Sequence, residues 1–226
     1  MKLIAVEMGR VAMLFPVEEI RPTGGLNVSE LVGLLVERYG FQFLPDLSRP
    51  WEEMQKSVFK FNSGVFKVNN KQKNILEFTI YNDGIVANTS STEDSEKFLE
   101  DMLGWAKDAF HIREITTKPT FYYSSQIIVE FDIDMNALLS QFKHISDLYG
   151  KELKTLYNVQ QLPELSRLAI NCDRTKLPIT VLGTDFVMER RLNQPYEDKR
   201  FFCEAPLPTA QHLQLLRDIE KAVGTN

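Results

Sequence analysis

Residues 57–90, SVFKFNSGVFKVNNKQKNILEFTIYNDGIVANTS, decide the fold. Their apolar side chains alternate with polar ones at period two, the pattern of strands that lay one face on a core. Turn residues divide the stretch into two hairpins. In the first, a Ser63-Gly64 turn pairs Phe61 with Phe66 and Phe59 with Val68, leaving Lys60 and Lys67 together on the other face. In the second, Asp83-Gly84 is the hairpin signal, with Leu76, Phe78 and Ile80 pointing inward.

Helices flank these strands. Upstream, Val28, Leu31, Val32, Leu35 and Tyr39 recur at helical spacing, with Asn27 as the N-cap, Glu30 completing a capping-box spacing and Gly40 as the stop. Downstream, the polar run Thr89–Asp94 leads into a helix whose stripe is Leu99, Met102, Trp105, Ala106 and Ala109. Before the first helix, Lys2–Glu7 and Val11–Phe15 read as two short strands closed by Pro16.

The second half repeats this order. A strand at Gln126–Ile133 precedes a helix carrying Leu138, Phe142, Ile145 and Tyr149 and ended by Gly150. Strands at Leu168–Cys172, Ile179–Leu182, Phe186–Leu192 and Arg200–Glu204 follow. The last helix starts after Pro208 with Thr209 as cap and presents His212, Leu216, Ile219 and Val223. At an offset of 110, Tyr39-Gly40 falls on Tyr149-Gly150, and at 114, Leu99 and Met102 fall on Leu213 and Leu216. The expected fold is therefore α+β: two similar halves, 1–115 and 116–226, each an antiparallel sheet with helices on one face, related by duplication and packed as one unit.

The bulk numbers narrow the function classes. The chain has 226 residues, 43% hydrophobic and 25% charged, with 26 Lys plus Arg against 31 Asp plus Glu and a net charge of −5. That is globular composition, which sets aside disordered and fibrous classes. No apolar run approaches the roughly 18 residues of a membrane span. Glu7 and Arg10 interrupt what would be a signal peptide's apolar stretch. Two cysteines, Cys172 and Cys203, make no disulfide framework. A cytoplasmic protein without membrane attachment is the expectation.

Chemistry is thinly marked. There is no G-x-S-x-G elbow, no phosphate-binding glycine loop and no dinucleotide fingerprint, and nothing asks for a cofactor. The three histidines, His111, His144 and His212, show no ligand spacing. Cys203 lies beside Phe201 and Phe202 and reads as a packed residue. Three groups of residues carry functional readings. The ladder Glu130, Asp132, Asp134, at period two on one strand face, could hold a divalent cation for a metal-assisted hydrolase or nuclease. The Lys-rich hairpin at 54–76, with Lys60, Lys67, Lys71 and Lys73 among phenylalanines, could hold nucleic acid, although the acidic balance does not favour it. Arg190, Arg191, Tyr196 and Arg200 surround the loop Asn193-Gln194-Pro195 and are residue types enriched at protein interfaces. The favoured expectation is a non-catalytic interaction or accessory subunit of an assembly, working with a protein partner or by self-association.

Overall fold

A computed structural model describes residues 1–20, 27–47, 58–135, 143–158, 163–173 and 185–224. In chain order it contains β1 (Lys2–Leu14), α1 (Val28–Tyr39), β2 (Phe59–Val68), β3 (Lys71–Tyr81), β4 (Gly84–Thr89), α2 (Thr92–Phe110), β5 (Thr120–Glu130), α3 (Lys143–Tyr157), β6 (Arg167–Ile170), β7 (Phe186–Arg190), β8 (Arg200–Ala205) and α4 (Thr209–Gly224). Short 3-10 turns stand at Val17–Ile20 and Tyr196–Asp198. The strands form one antiparallel sheet in the order β2-β3-β4-β1-β5-β8-β7-β6. The fold is mixed α+β, as the alternation indicated. It is not two sheets, however. β1 hydrogen-bonds β4 along one edge and β5 along the other, so the strands of both halves merge and neither central edge is left open.

β1 is a single strand where two were expected, because Gly9 does not break it. A Cβ at Gly9 would lie 2.1 Å from the Ser91 carbonyl carbon, so glycine there admits the start of α2 directly onto the strand. Gly64 plays a similar part. A Cβ would meet the Phe41 ring at 2.6 Å, and Ser63-Gly64 lies inside β2 rather than at a turn. The turn falls at Asn69-Asn70, both at positive φ (49° and 61°), as a tight hairpin turn requires. Phe61 therefore pairs with Phe78 and Phe66 with Lys73. In the second hairpin Tyr81 pairs with Gly84, which places Asn82-Asp83 in the turn. A register shift between Ile75 and Glu77 turns Leu76 outward, 45% exposed, and Ile75 inward, where Leu76 was expected.

α1 follows its sequence signals. Asn27 accepts from the Ser29 and Glu30 amides, and Gly40 closes the helix at φ 63°. Val28, Val32, Leu35 and Tyr39 are buried. α2 buries Phe98, Leu99, Met102 and Ala106 against β1, β3 and β4, but Ala109 is exposed. Phe98 meets Tyr39, Phe66 and Phe78 edge-on at 5.1–5.4 Å, contacts worth about 0.5–1.5 kcal/mol each beyond their burial. α4 lays Leu216 over Ile127, Val129 and Cys203 in a smaller second cluster. α3 runs through Gly150 to Tyr157, so Gly150 does not end it, and Tyr149 is exposed while Tyr39 is buried. The offset-110 match fails at that point. Leu138, Phe142 and the proposed strand Ile179–Leu182 lie outside the described residues.

Candidate functional site

Of the residues expected to form an interface, Arg190 is buried, whereas Arg191 and Tyr196 are exposed and Arg200 is half-buried. Arg190 is 6% exposed and its guanidinium carbon stacks 4.0 Å from the Tyr196 ring centre and 5.3 Å from that of Phe201, with Nη2 3.3 Å from Glu164 Oε2. The structure therefore brings Arg190 and Tyr196 together as a packed cation and ring. Arg191 pairs with Glu7 at 3.3 Å and Arg200 with Glu130 at 3.1 Å.

The acidic ladder does not share one strand. β5 ends at Glu130, and Asp132 and Asp134 lie beyond it. Asp132 binds the amino group of Met1 and is exposed, while Glu130 is held by Arg200. Among the described residues no group of three or more His, Cys, Asp or Glu converges. The four lysines are also divided. Lys60 and Lys67 lie on the sheet face away from the helices, with Lys60 on Glu77 at 2.5 Å; Lys73 reaches Asp94 at the start of α2 (2.8 Å), and Phe61 and Phe66 are in the core.

The polar run that leads into α2 belongs to a buried junction, in which Thr89, Thr92 and Asp94 are buried. The first turns of α2 and α4 meet over the β1–β5 pair. The Thr92 amide donates to Thr209 Oγ1 (3.0 Å), the Thr209 amide donates to Thr92 Oγ1 (2.7 Å), and the hydroxyls are 3.2 Å apart. Glu93 receives the next amide of α4, that of Ala210, at 3.0 Å. One turn further on, Ser95 donates to the Gly9 carbonyl (2.6 Å), and His212 Nδ1 lies 2.7 Å from Ser125 Oγ. Gly9 and Ser125 are themselves opposite in the β1–β5 register. Two helix N-termini thus have their unpaired amides answered by side chains of the other helix.

A histidine on a serine is a nucleophile–base pairing in many enzymes. Here both residues are 0% exposed, so no substrate atom reaches them. Burial pushes the His212 imidazole down to about 4, and Nε2 has no hydrogen-bond partner. The pair packs the junction. Cys203, fully buried, has its thiol pushed well above the ordinary range by desolvation and is inert as a nucleophile in the folded state.

The sheet face opposite α1, α2 and α4 carries a second polar cluster, among outward residues of which Thr79, Val86, Ile128 and Val187 are buried. Since Val11, Ala87 and Ser125 face the helices, Arg10 faces the other way, flanked in register by Asn88 on β4 and Ser124 on β5. Asn88 Oδ1 and Ser124 Oγ are buried without a hydrogen-bond partner. Among the described residues Arg10 has no ion pair or hydrogen bond. The rung on one side is apolar, with Val86 (5% exposed), Ala12 and Tyr122; on the other side Met8, Gln126 and Glu204 follow, and beyond them Ile128 (7% exposed) and Phe202. Sequence reasoning missed Arg10 because β1 was divided at Gly9; unbroken alternation through Gly9 would have placed Arg10 opposite Val11.

No protein-family model matches this sequence, and no curated protein is significantly similar to it.

Proposed function

We propose that the protein is a non-catalytic interaction module, and that the sheet face around Arg10 is the surface it uses. One observation carries this reading: the centre of that face holds Arg10, half-buried and without an ion pair or hydrogen bond among the described residues, between two buried, unanswered oxygens, Asn88 Oδ1 and Ser124 Oγ. Buried polar atoms are nearly always paired, so a rung left unanswered in the free chain is a place where a partner supplies the missing groups. The reactive-looking side chains are engaged elsewhere. His212, Ser125, Thr92 and Thr209 bind one another inside, and Arg190 is stacked between rings.

The two halves, 1–115 and 116–226, are read as copies of one unit. Support comes from the element order β-α-β-β-β-α on each side of residue 115 and from the Thr92–Thr209 pair, separated by 117 residues. It comes also from helices that end Tyr39-Gly40 and Tyr157-Asn158, with Gly40 and Asn158 both at positive φ. This replaces the alignments at 110 and 114.

Copurification from the native host tests the interaction reading. Proteins retained by the wild type and lost with Ala12→Arg, a change at the centre of the face, support it. Identical retention by both proteins would count against it.

A further inference from the structure

α3 sits in the fold with its sides reversed. It turns Gly150, buried, and Ser146, Asp147 and Leu153, half-buried, toward the rest of the molecule. Its apolar stripe points outward: Ile145 is 63% exposed, Leu148 50%, Tyr149 57% and Leu156 69%. These residues fall at i, i+3, i+4 and i+11, one continuous helix face. α1, α2 and α4 bury residues of the same kind of stripe. A contiguous apolar face left uncovered marks a surface for a partner.

The layout of the stripe points to its occupant. Positions 145, 148, 149, 152, 153 and 156 run in steps of 3, 1, 3, 1 and 3, a spacing that reads the same from either end about the midpoint of Gly150 and Lys151. An antiparallel copy of α3 centred there sets Ile145 against Leu156, Leu148 against Leu153 and Tyr149 against Glu152, each pair occurring twice, as a two-fold contact demands. Antiparallel helices also bring the opposite ends of their dipoles together. Glu152, exposed, is the charged residue within the stripe. A lipid surface would leave its carboxylate without a partner, whereas a second copy brings the Tyr149 hydroxyl to it.

We propose that a second copy of this chain covers α3, the two helices packing antiparallel about a two-fold axis level with Gly150 and Lys151. The contact is separate from the rung around Arg10 and stands without it. The stripe from Ile145 to Leu156 is about 16 Å long and one helix wide, which places the contact in the small class of interfaces, below about 1,200 Å² in total. The dimer is therefore reversible, and its population follows concentration.

Analytical ultracentrifugation of the purified full chain, from micromolar to millimolar, tests this. The wild type is expected to pass from the 26.1 kDa chain mass to twice that mass as concentration rises. Leu148→Asp and Leu156→Asp are expected at the single mass throughout, with the far-ultraviolet dichroism of the wild type as the check on folding. Tyr149→Lys faces Glu152 of the other copy and is expected to keep the double mass. Tyr149→Lys with Glu152→Lys gathers four cations at the axis and is expected to lose it. A wild type at the single mass at every concentration overturns the pairing. A double mass that survives both Leu148→Asp and Leu156→Asp, or one that Tyr149→Lys abolishes, overturns it as well. None of these variants alters Arg10, Asn88 or Ser124, so the copurification experiment decides the interaction reading on its own.

Discussion

Thr92 and Thr209 cap each other's helix: each backbone amide donates to the other's hydroxyl, at 3.0 and 2.7 Å, across 117 residues of sequence. Both threonines are at most 4% exposed, so water cannot replace either bond. This contact ties the start of α2 to the start of α4 over the central strand pair.

Thr209→Val therefore leaves the Thr92 amide unanswered and removes the bond between hydroxyls. An unpaired buried donor costs about 1–3 kcal/mol. Urea unfolding should show that loss for Thr209→Val and for Thr92→Val. It should show less than the sum for the double variant, because the hydroxyl–hydroxyl bond is lost only once. Thr92→Ser, which keeps the oxygen, should cost less than Thr92→Val.

His212 makes the fold sensitive to mild acid. In the folded chain the imidazole stays neutral down to about 4, while in the unfolded chain it takes a proton near 6.5. The unfolded state thus binds more protons between those values, and stability falls as pH is lowered from about 6.5 to about 4. The full difference is on the order of 3 kcal/mol. His212→Gln should flatten that part of the stability–pH curve, measured by chemical unfolding at several pH values. An unchanged slope would remove His212 from the account.

Gly9→Ala should be among the costliest single methyl additions in the chain. The new carbon would sit within 2.4 Å of the Ser91 and Thr92 backbone, which cannot rotate away as a side chain could. Overpacking of this kind costs about 3 kcal/mol or more, and thermal unfolding should show it as a clear drop in Tm. The same change at Gly33 or Gly104, where a Cβ meets nothing within 4 Å, should be neutral or stabilising.

Arg190 and Arg191 are neighbours with opposite expectations. Arg190→Ala removes a buried side chain from the Tyr196 and Phe201 rings and should cost about 2–4 kcal/mol. Arg191, 42% exposed and paired only at the surface with Glu7, should lose less than about 1 kcal/mol on the same change. Equal effects in urea unfolding would contradict the different burial of the two side chains.

The sequence carried α1 to the residue, since cap, stripe and stop act locally at Asn27, Val28–Tyr39 and Gly40. It carried the strands of the first half as well, because period two survives a shifted turn. It did not carry what depends on distant chain. Gly64 reads as a turn residue until Phe41 is known to lie on it, and Gly9 reads as a break until α2 is known to start there. Leu76 looks inward until the bulge against β4 is seen. The polar rung on the far sheet face was missed for the same reason: Arg10, Asn88 and Ser124 come from three separated segments, and only the sheet order brings them together. Arg190 was read as exposed because composition cannot tell a surface arginine from one stacked between Tyr196 and Phe201.

The place of β1 in the sheet has a consequence for biosynthesis. Its partner on one side, β4, is made within the first 89 residues, but its partner on the other, β5, is complete only at Glu130. A nascent chain that has just released α2 thus presents a thirteen-residue strand with one row of amides and carbonyls unpaired, the kind of template on which neighbouring chains aggregate. Arrival of the second half is what ends that exposure. A truncation between Phe110 and Thr120 would make it permanent.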